Sequence, residues 1–425
     1  MFSSKISKLI EKRDGLLYVL KKKVFGLVEL DILNEDSIHL KEAKRIIKII
    51  EETHPYFLSS KYDQSEYNSH KKAFVEVIKN NSNFENLPFH VLRYFKVLCD
   101  GHMSMIYKYT KYLEKTLSVK KNNLVFLDNS IQVYTIGKKS VNEILEELDK
   151  HFYYENTSNR LLIFHEYIHR MDFLSYIGCD IKDNKVVLST NDGDLSFSFK
   201  SESIPEIKFD KIIENAADSS RIIYINSDNF EENHTFIDLI KEYLTNESSK
   251  LIIDLREYRG GSSIFYEKFL DELSVSDTDF GYIDRLSNTL RNKKPNSYFF
   301  ARIDEENVMF TYKLPKANYR DYSRKIFVLT SIMTYSSGVQ FATILQDCGL
   351  GIVLGEIPGN SPCSFGDILG FDSAPYNFGF CVSHKCFIRP NSSKSRTELI
   401  PDIIIQSKNA LQYAINLLNG NMKGD

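Results

Sequence analysis

The chain has 425 residues, 42% of them hydrophobic and 26% charged, with 54 basic residues against 57 acidic ones and a formal net charge of -3. That composition is globular and long enough for two or three domains, and it holds no Lys/Arg-rich block of the kind that tracks nucleic-acid phosphates. No run of about 18 apolar residues exists to span a bilayer, and the first 30 residues lack the continuous apolar stretch of a signal peptide, so a cytoplasmic protein with no nucleic-acid or membrane partner is expected.

Residues 1–30 alternate charge with short apolar runs, which predicts one or two amphipathic helices. Asp36-Ser37 then offers caps for a helix through "IHLKEAKRIIKIIEETH", and the helical period continues through "HKKAFVEVIKN" and "LPFHVLRYFKVLCDGHMSMIY" to about residue 112. Beyond it the period changes. "NNLVFLDNSIQVYTIGKKSV" predicts strand, turn and strand, "VNEILEELDKHF" a short helix, "NRLLIFHEYIHRMDF" a second helix ending near Gly178, and "DNKVVLSTNDGDLSFSFKS" a strand pair around Asn191-Asp192-Gly193. From about residue 206 apolar strands alternate with helices: "RIIYINSD", "TFIDLIKEYLTN", "KLIIDLREYRGG", "KIFVLTS", "SSGVQFATILQDCG" and "GIVLGE". Buried strands alternating with helices predict an α/β fold. Six cysteines stand without CxxC spacing and are expected as free thiols.

Two sets of residues carry chemistry. The first is His165-Glu166-Tyr167-Ile168-His169. Histidines four apart share a helix face and could grip a zinc ion, with Glu166 as general base on its water. The third ligand is missing, because a strand pair follows where a second helix should supply one, so a zinc metallopeptidase using His165, Glu166 and His169 stands as an alternative only. The second set lies in the α/β half. "LIIDLREYRGGSS" runs a strand into Asp254, Arg256 and the turn Gly260-Gly261, where backbone N–H groups could face a ligand. "VLTSIMTYSSGVQFATILQD" places Ser336-Ser337 at a strand-to-helix junction, as a plain helix cap or as a nucleophile beside free amides. "LGIVLGEIPGNSPCSFGDIL" ends a strand in a polar, Gly-rich loop suited to line a substrate.

In this order the segments resemble the C-terminal-processing, or tail-specific, serine protease family, to which the tricorn core and the interphotoreceptor retinoid-binding repeats also belong. "IDLR-x-x-x-GG", "T-x-SS" with "LQD", "GIVLGE" and the tail "SHKCFIRPNSSKSRTELIPDI" carry the likeness over roughly residues 206–405, and "VLCDGHMSM" extends it upstream. The resemblance implies a crotonase-like α/β core at 206–425, an N-terminal helical region at 1–120 carrying the Asp-Gly-His segment, and a β-rich middle at 121–205, a degenerate PDZ-like remnant. It implies Ser336 as nucleophile, and an oxyanion hole from the Ser337 N–H and a glycine of the turn, Gly260 in preference to Gly261. Where many members carry a catalytic Lys, this chain has Ser361. The branch that uses histidine instead matches His102 as general base, with Glu398 to orient it and Asp402 as the competing carboxylate. Asp254 and Arg256 are expected to pin the glycine loop, and Cys99 to be a buried thiol. A hydroxyl, an imidazole and a carboxylate complete a nucleophilic set. The expected activity is serine endopeptidase, needing no cofactor or metal and cutting peptides or unfolded protein segments. A non-catalytic binding module on the same fold is a further alternative, and homo-oligomerisation is left open.

Overall fold

The computed structural model describes residues 16–21, 30, 32–33, 36–80, 84–107, 110–120, 123–126, 130–201, 203, 207–211, 222–226, 233–275, 278–294, 307–318, 326–373, 376 and 378–420. They form three sheets.

The α/β half is built on a five-stranded, all-parallel sheet. Its strands Ile222–Asn226, Lys250–Asp254, Ile326–Thr330, Gly351–Gly355 and Ile403–Ile404 lie side by side in chain order. The inner strands are buried on both faces, which is why "LIID" and "IFVLT" read as unbroken apolar runs. Helices Asn233–Thr245, Ile264–Glu272 and Ser337–Asp347 share one core cluster with the sheet. Successive crossovers of one hand put them on the same face. The last helix, Ser407–Leu418, covers the other face with Ala410, Leu411 and Ala414 against Ile252, Leu329 and Leu354.

An antiparallel sheet inserted between these strands connects the two ends of the chain. Its order runs Leu16–Lys21, Asn307–Lys313, Gly281–Leu286, Phe378–Ile388 and Phe365–Ser373, with Met105–Tyr107 also paired to Phe378–Ile388. The N-terminal helices Ile38–Thr53, Gln64–Asn80 and Leu87–Phe95 bury their apolar stripes in the same cluster as Phe365, Leu369, Phe378 and Phe380. The third sheet has eight strands, all paired antiparallel, between residues 112 and 201, and carries helices Val141–His151, Thr157–Tyr167 and Met171–Tyr176. Ser37 caps the first N-terminal helix by accepting the Leu40 N–H, as its position foretells. Ser140 and Glu143 form a reciprocal capping box on helix Val141–His151.

Three local expectations fail. Leu16–Lys21 is a strand rather than part of a helix; the rest of residues 1–30 lies almost wholly outside the described residues. The helical run does not reach residue 112. It ends at Phe95, passes through a single tight turn at Lys96–Leu98, and Cys99 then takes a left-handed conformation (φ 53°) that turns the chain out of the helix. The helix carrying His165 stops at Tyr167, and a separate short helix starts at Met171. No described helix is long and apolar enough to cross a membrane.

Candidate active site

Ser336 sits at the turn from strand Ile326–Thr330 into helix Ser337–Asp347, with φ 50° and ψ -122°. A non-glycine residue in that region is strained by about 1–3 kcal/mol, and such strain persists only where the surroundings impose it. The surroundings here are specific. Ser331 Oγ donates to Arg256 O (2.5 Å), Thr334 Oγ1 to Leu255 O (2.8 Å) and Tyr335 N to Tyr258 O (3.1 Å), so the loop before the serine is sewn onto the loop after strand Lys250–Asp254. Arg256, fully buried, grips Asp254 through Nε (2.9 Å) and Nη2 (2.6 Å) and holds that second loop in turn. This is the structural role expected of the pair.

The seam brings Gly260 against the serine. A methyl group on Gly260 would lie 2.6 Å from Ser336 Cβ, and its φ of 96° also favours glycine. Ser336 Oγ makes no capping bond to the helix it precedes, so the simple cap role is not the one it plays. Its backbone N–H donates to Asn360 Oδ1 (2.9 Å). Ser337 turns its hydroxyl to Tyr258 Oη (3.3 Å). Among the described residues the N–H groups of Gly260 and Ser337 have no hydrogen-bond acceptor. Two unsatisfied donors flanking a strained serine hydroxyl can stabilise negative charge developing on a carbonyl oxygen. A cleft of 740 Å³ opens beside them, lined by Ser336, Ser337, Gln340, Tyr266, Lys385 and Phe387 among others.

His102 lies on the other side of Tyr335. The two rings are 5.0 Å apart, and Tyr335 Oη donates to Gly101 O (2.8 Å), so the Asp-Gly-His segment docks on the residue that precedes the serine. The imidazole is buried, with 8% of its side chain exposed, and neither ring nitrogen has a hydrogen-bond partner. Two carboxylates face it. Asp100 Oδ1 accepts the His102 backbone N–H (2.7 Å) and lies 3.7 Å from Nδ1, an ion-pair distance rather than a hydrogen bond. Glu155, also buried, accepts N–H groups from Gly101 (3.1 Å), Asn360 Nδ2 (2.6 Å) and Ser361 (2.6 Å).

Burial opposes the charged imidazolium, but Asp100, with Glu155 adding, overcomes it and lifts the His102 pKa above the ordinary histidine value. Burial would likewise raise Asp100, yet His102 and His54 hold its carboxyl far below the usual range. Burial raises Glu155, against the pull of His102 and its N–H donors. Among the described residues Asp100, His102 and Glu155 form the one group whose donor atoms, within 4.8 Å of one another, could gather round a metal ion. The Glu155 oxygens already accept three N–H donors and those of Asp100 two ring or backbone N–H groups, which suits a set that holds and moves protons.

The remaining expected residues fall elsewhere. Glu398 is half-buried, and its backbone carries its described bonds, to Ser395 Oγ and from Arg389. Among the described contacts none joins its carboxylate to His102. Asp402 accepts the Val353 N–H (2.8 Å) and ties down the neighbouring parallel strand. Ser361 donates its hydroxyl to Thr397 O (2.8 Å). Cys99 is half-buried, and burial pushes its thiol pKa up. All six cysteines are free.

The HEYIH histidines are occupied by backbone. His169 Nε2 accepts the Leu117 N–H (2.9 Å), so Nδ1 carries the proton it donates to His165 O (2.6 Å). His165 Nδ1 donates to Leu117 O (3.2 Å). Both clamp the edge strand Leu117–Lys120, and the helix end at Tyr167 leaves His169 off the helix face that a zinc pair requires. The end of this helix that nears the candidate site is the other one. Its cap, Asn156, donates to Pro358 O (3.0 Å), and Glu155 stands just before it. Sequence reasoning passed over Glu155 and Asn360, which no motif marks, and assigned no role to Asp100, although it was visible in Asp-Gly-His.

No curated protein matches the chain by sequence. In fold it is similar to mature CPAF in complex with lactacystin, at 11% identity with a TM-score of 0.62 over 90% of this chain and 99% of that one. It is similar also to mature CPAF, at 11% identity with a TM-score of 0.59 over 91% and 98%. The sequence model of peptidase family S41 matches residues 221–403, the span that holds the parallel sheet, the glycine turn and Ser336. Residues 221–403 therefore carry the sequence signature of peptidase family S41, a family of serine-type peptidases.

Proposed function

We propose that the chain is a serine endopeptidase that cleaves peptides or unstructured protein segments through an acyl-enzyme on Ser336. The observation that carries this reading is the strained Ser336 backbone held against Gly260, with a hydroxyl free of any cap bond. His102 takes the hydroxyl proton as general base and returns it to the leaving amine. The N–H groups of Gly260 and Ser337 receive the oxyanion. The carboxylates that orient His102 and stabilise its imidazolium are Asp100 and Glu155, in preference to Glu398, because they are the ones that act on the ring. The missing Lys supports a histidine base: Ser361 stands in its place and spends its hydroxyl on a backbone carbonyl.

Labelling by a fluorophosphonate probe tests the reading. Wild type labels; Ser336→Ala does not, and its turnover falls by about a thousandfold or more because the covalent route is gone. Ser337→Ala retains labelling, since that residue contributes its backbone. Labelling that survives Ser336→Ala and disappears in Ser337→Ala would move the nucleophile by one residue. Full folding without any labelling of wild type would favour the binding-module alternative.

A further inference from the structure

Asp100 has a second imidazole partner, deeper than His102, that the proposed chemistry leaves unused. His54 is fully buried where helix Ile38–Thr53 passes into the short turn Pro55–Leu58. Its Nδ1 lies 3.0 Å from the Tyr56 backbone N–H, which can only donate. Nδ1 is therefore the bare nitrogen, and the ring proton sits on Nε2. From there it is donated to Asp100 Oδ2 at 3.0 Å, while Oδ1 of the same carboxylate faces His102. We infer that His54 is a positioning residue: a neutral imidazole, held as one tautomer, that fixes the Asp100 carboxylate so that its charge is aimed at His102 Nδ1. The inference rests on His102 being the general base.

The surroundings keep His54 neutral. Burial lowers its pKa, Asp100 opposes that, and the Arg285 guanidinium and Lys61 ammonium add to the lowering. Arg285, itself buried, donates to the His54 carbonyl (2.8 Å), and the Phe365 ring packs edge-on 4.9 Å away. The groups that face His102 are Asp100, Glu155 and the Tyr335 ring. A cation at position 54 would cancel the Asp100 charge that His102 needs; a neutral donor orients that charge and leaves it intact.

Two substitutions separate this role from simple packing. In His54→Asn the short amide can still accept the Tyr56 N–H but falls short of Asp100. In His54→Gln the amide N–H reaches the Nε2 position. His54→Asn should lower kcat about ten- to a hundredfold, the worth of a hydrogen bond to a buried charge, with KM little changed. It should also move the acidic limb of the pH profile upward, because a carboxylate with one donor fewer holds the His102 proton more tightly. His54→Gln should keep both close to wild type. An acidic limb in His54→Asn that stays put or falls, or equal damage in both variants, overturns the inference. Ser336→Ala and His102→Ala run in parallel keep the two questions apart. If either retains turnover, the serine–histidine reading has failed. If both are inactive while His54→Asn behaves as wild type, the His54 inference alone has failed.

Discussion

A single methyl group at Gly260 should stop this enzyme. Added there, it would meet Ser336 Cβ at 2.6 Å and Tyr335 O at 3.0 Å on a backbone with φ 96°, so either the glycine turn or the serine must move. Because a displacement of about 1 Å in a reacting group costs on the order of a hundredfold in rate, Gly260→Ala should lose at least that much in kcat while the chain still folds. The comparison is turnover against the thermal midpoint. On the proposed mechanism His102 sets the pH dependence. Its neutral form would be the base and its pKa is raised, so kcat/KM should rise with pH through an apparent pKa above the ordinary histidine value. Glu155→Gln keeps the shape and removes the charge. Its acidic limb should move downward, because the imidazolium loses a stabilising neighbour, whereas Glu398→Gln should leave the limb in place. A limb that moves in Glu398→Gln and not in Glu155→Gln would return the orienting role to Glu398. At this scale the sequence offered as candidates the residues that chemistry restricts to few types. Ser336, Gly260 and His102 stood in recognisable local strings. Glu155 and Asn360 did not, because a buried acceptor of N–H groups can come from any segment that passes by, and no spacing relates it to its partners.

Element by element, the periodicities were legible wherever one face is buried. The parallel strands and helices Asn233–Thr245 and Ser337–Asp347 lie where apolar period and caps put them. The failures occur where tertiary contacts override period. Cys99–Gly101 leaves the helix where Asp100 pairs with His54 and the Gly101 carbonyl accepts the Tyr335 hydroxyl, and an apolar, charge-spaced stretch such as "VLCDGHMSMIY" does not record those partners. The HEYIH motif imitates a zinc pair for a related reason: its histidines satisfy backbone groups of a strand some 50 residues earlier. His169→Ala would leave the Leu117 N–H without its acceptor and open a void, which should cost about 2–4 kcal/mol of stability. Chelators should leave turnover unchanged. Denaturant midpoints and an EDTA titration measure the two, and loss of activity to EDTA that zinc restores would revive the metallopeptidase.

For the whole molecule, a buried ion pair joins the two sheets of the C-terminal half. Arg389, just past strand Phe378–Ile388, donates from Nε and Nη2 to Asp347 at the end of helix Ser337–Asp347 (2.9 and 2.8 Å). Asp347 is fully buried and also accepts the Asn391 N–H. The "LQD" string and the "IRP" of the tail segment thus each supply half of one clamp. Arg389→Met leaves the buried carboxylate to the Asn391 N–H and the Lys394 ammonium at 3.6 Å and should cost about 3 kcal/mol, read as a fall in the denaturant midpoint at constant m-value. Asp347→Asn, which keeps an acceptor, should cost less.

Glu155 gathers N–H groups from residues 101, 360 and 361, and through Asn360 reaches the backbone of Ser336. The proposed catalytic geometry therefore depends on segments that leave a ribosome far apart in time. At roughly 5–20 residues per second the chain needs on the order of 13 to 50 seconds to pass from residue 101 to residue 361. Over that interval His102 has been made and the proposed nucleophile has not been fixed, so on that mechanism a growing chain should be inactive. Chains truncated after residue 350 contain Ser336, His102 and Glu155 but lack Asn360 and Ser361, and should resist the fluorophosphonate probe; labelling at that length would show that Asn360 and Ser361 are dispensable. On the proposed mechanism, a peptidase whose site is closed by residues 336–361 does not cut its neighbours, or itself, before those residues are in place.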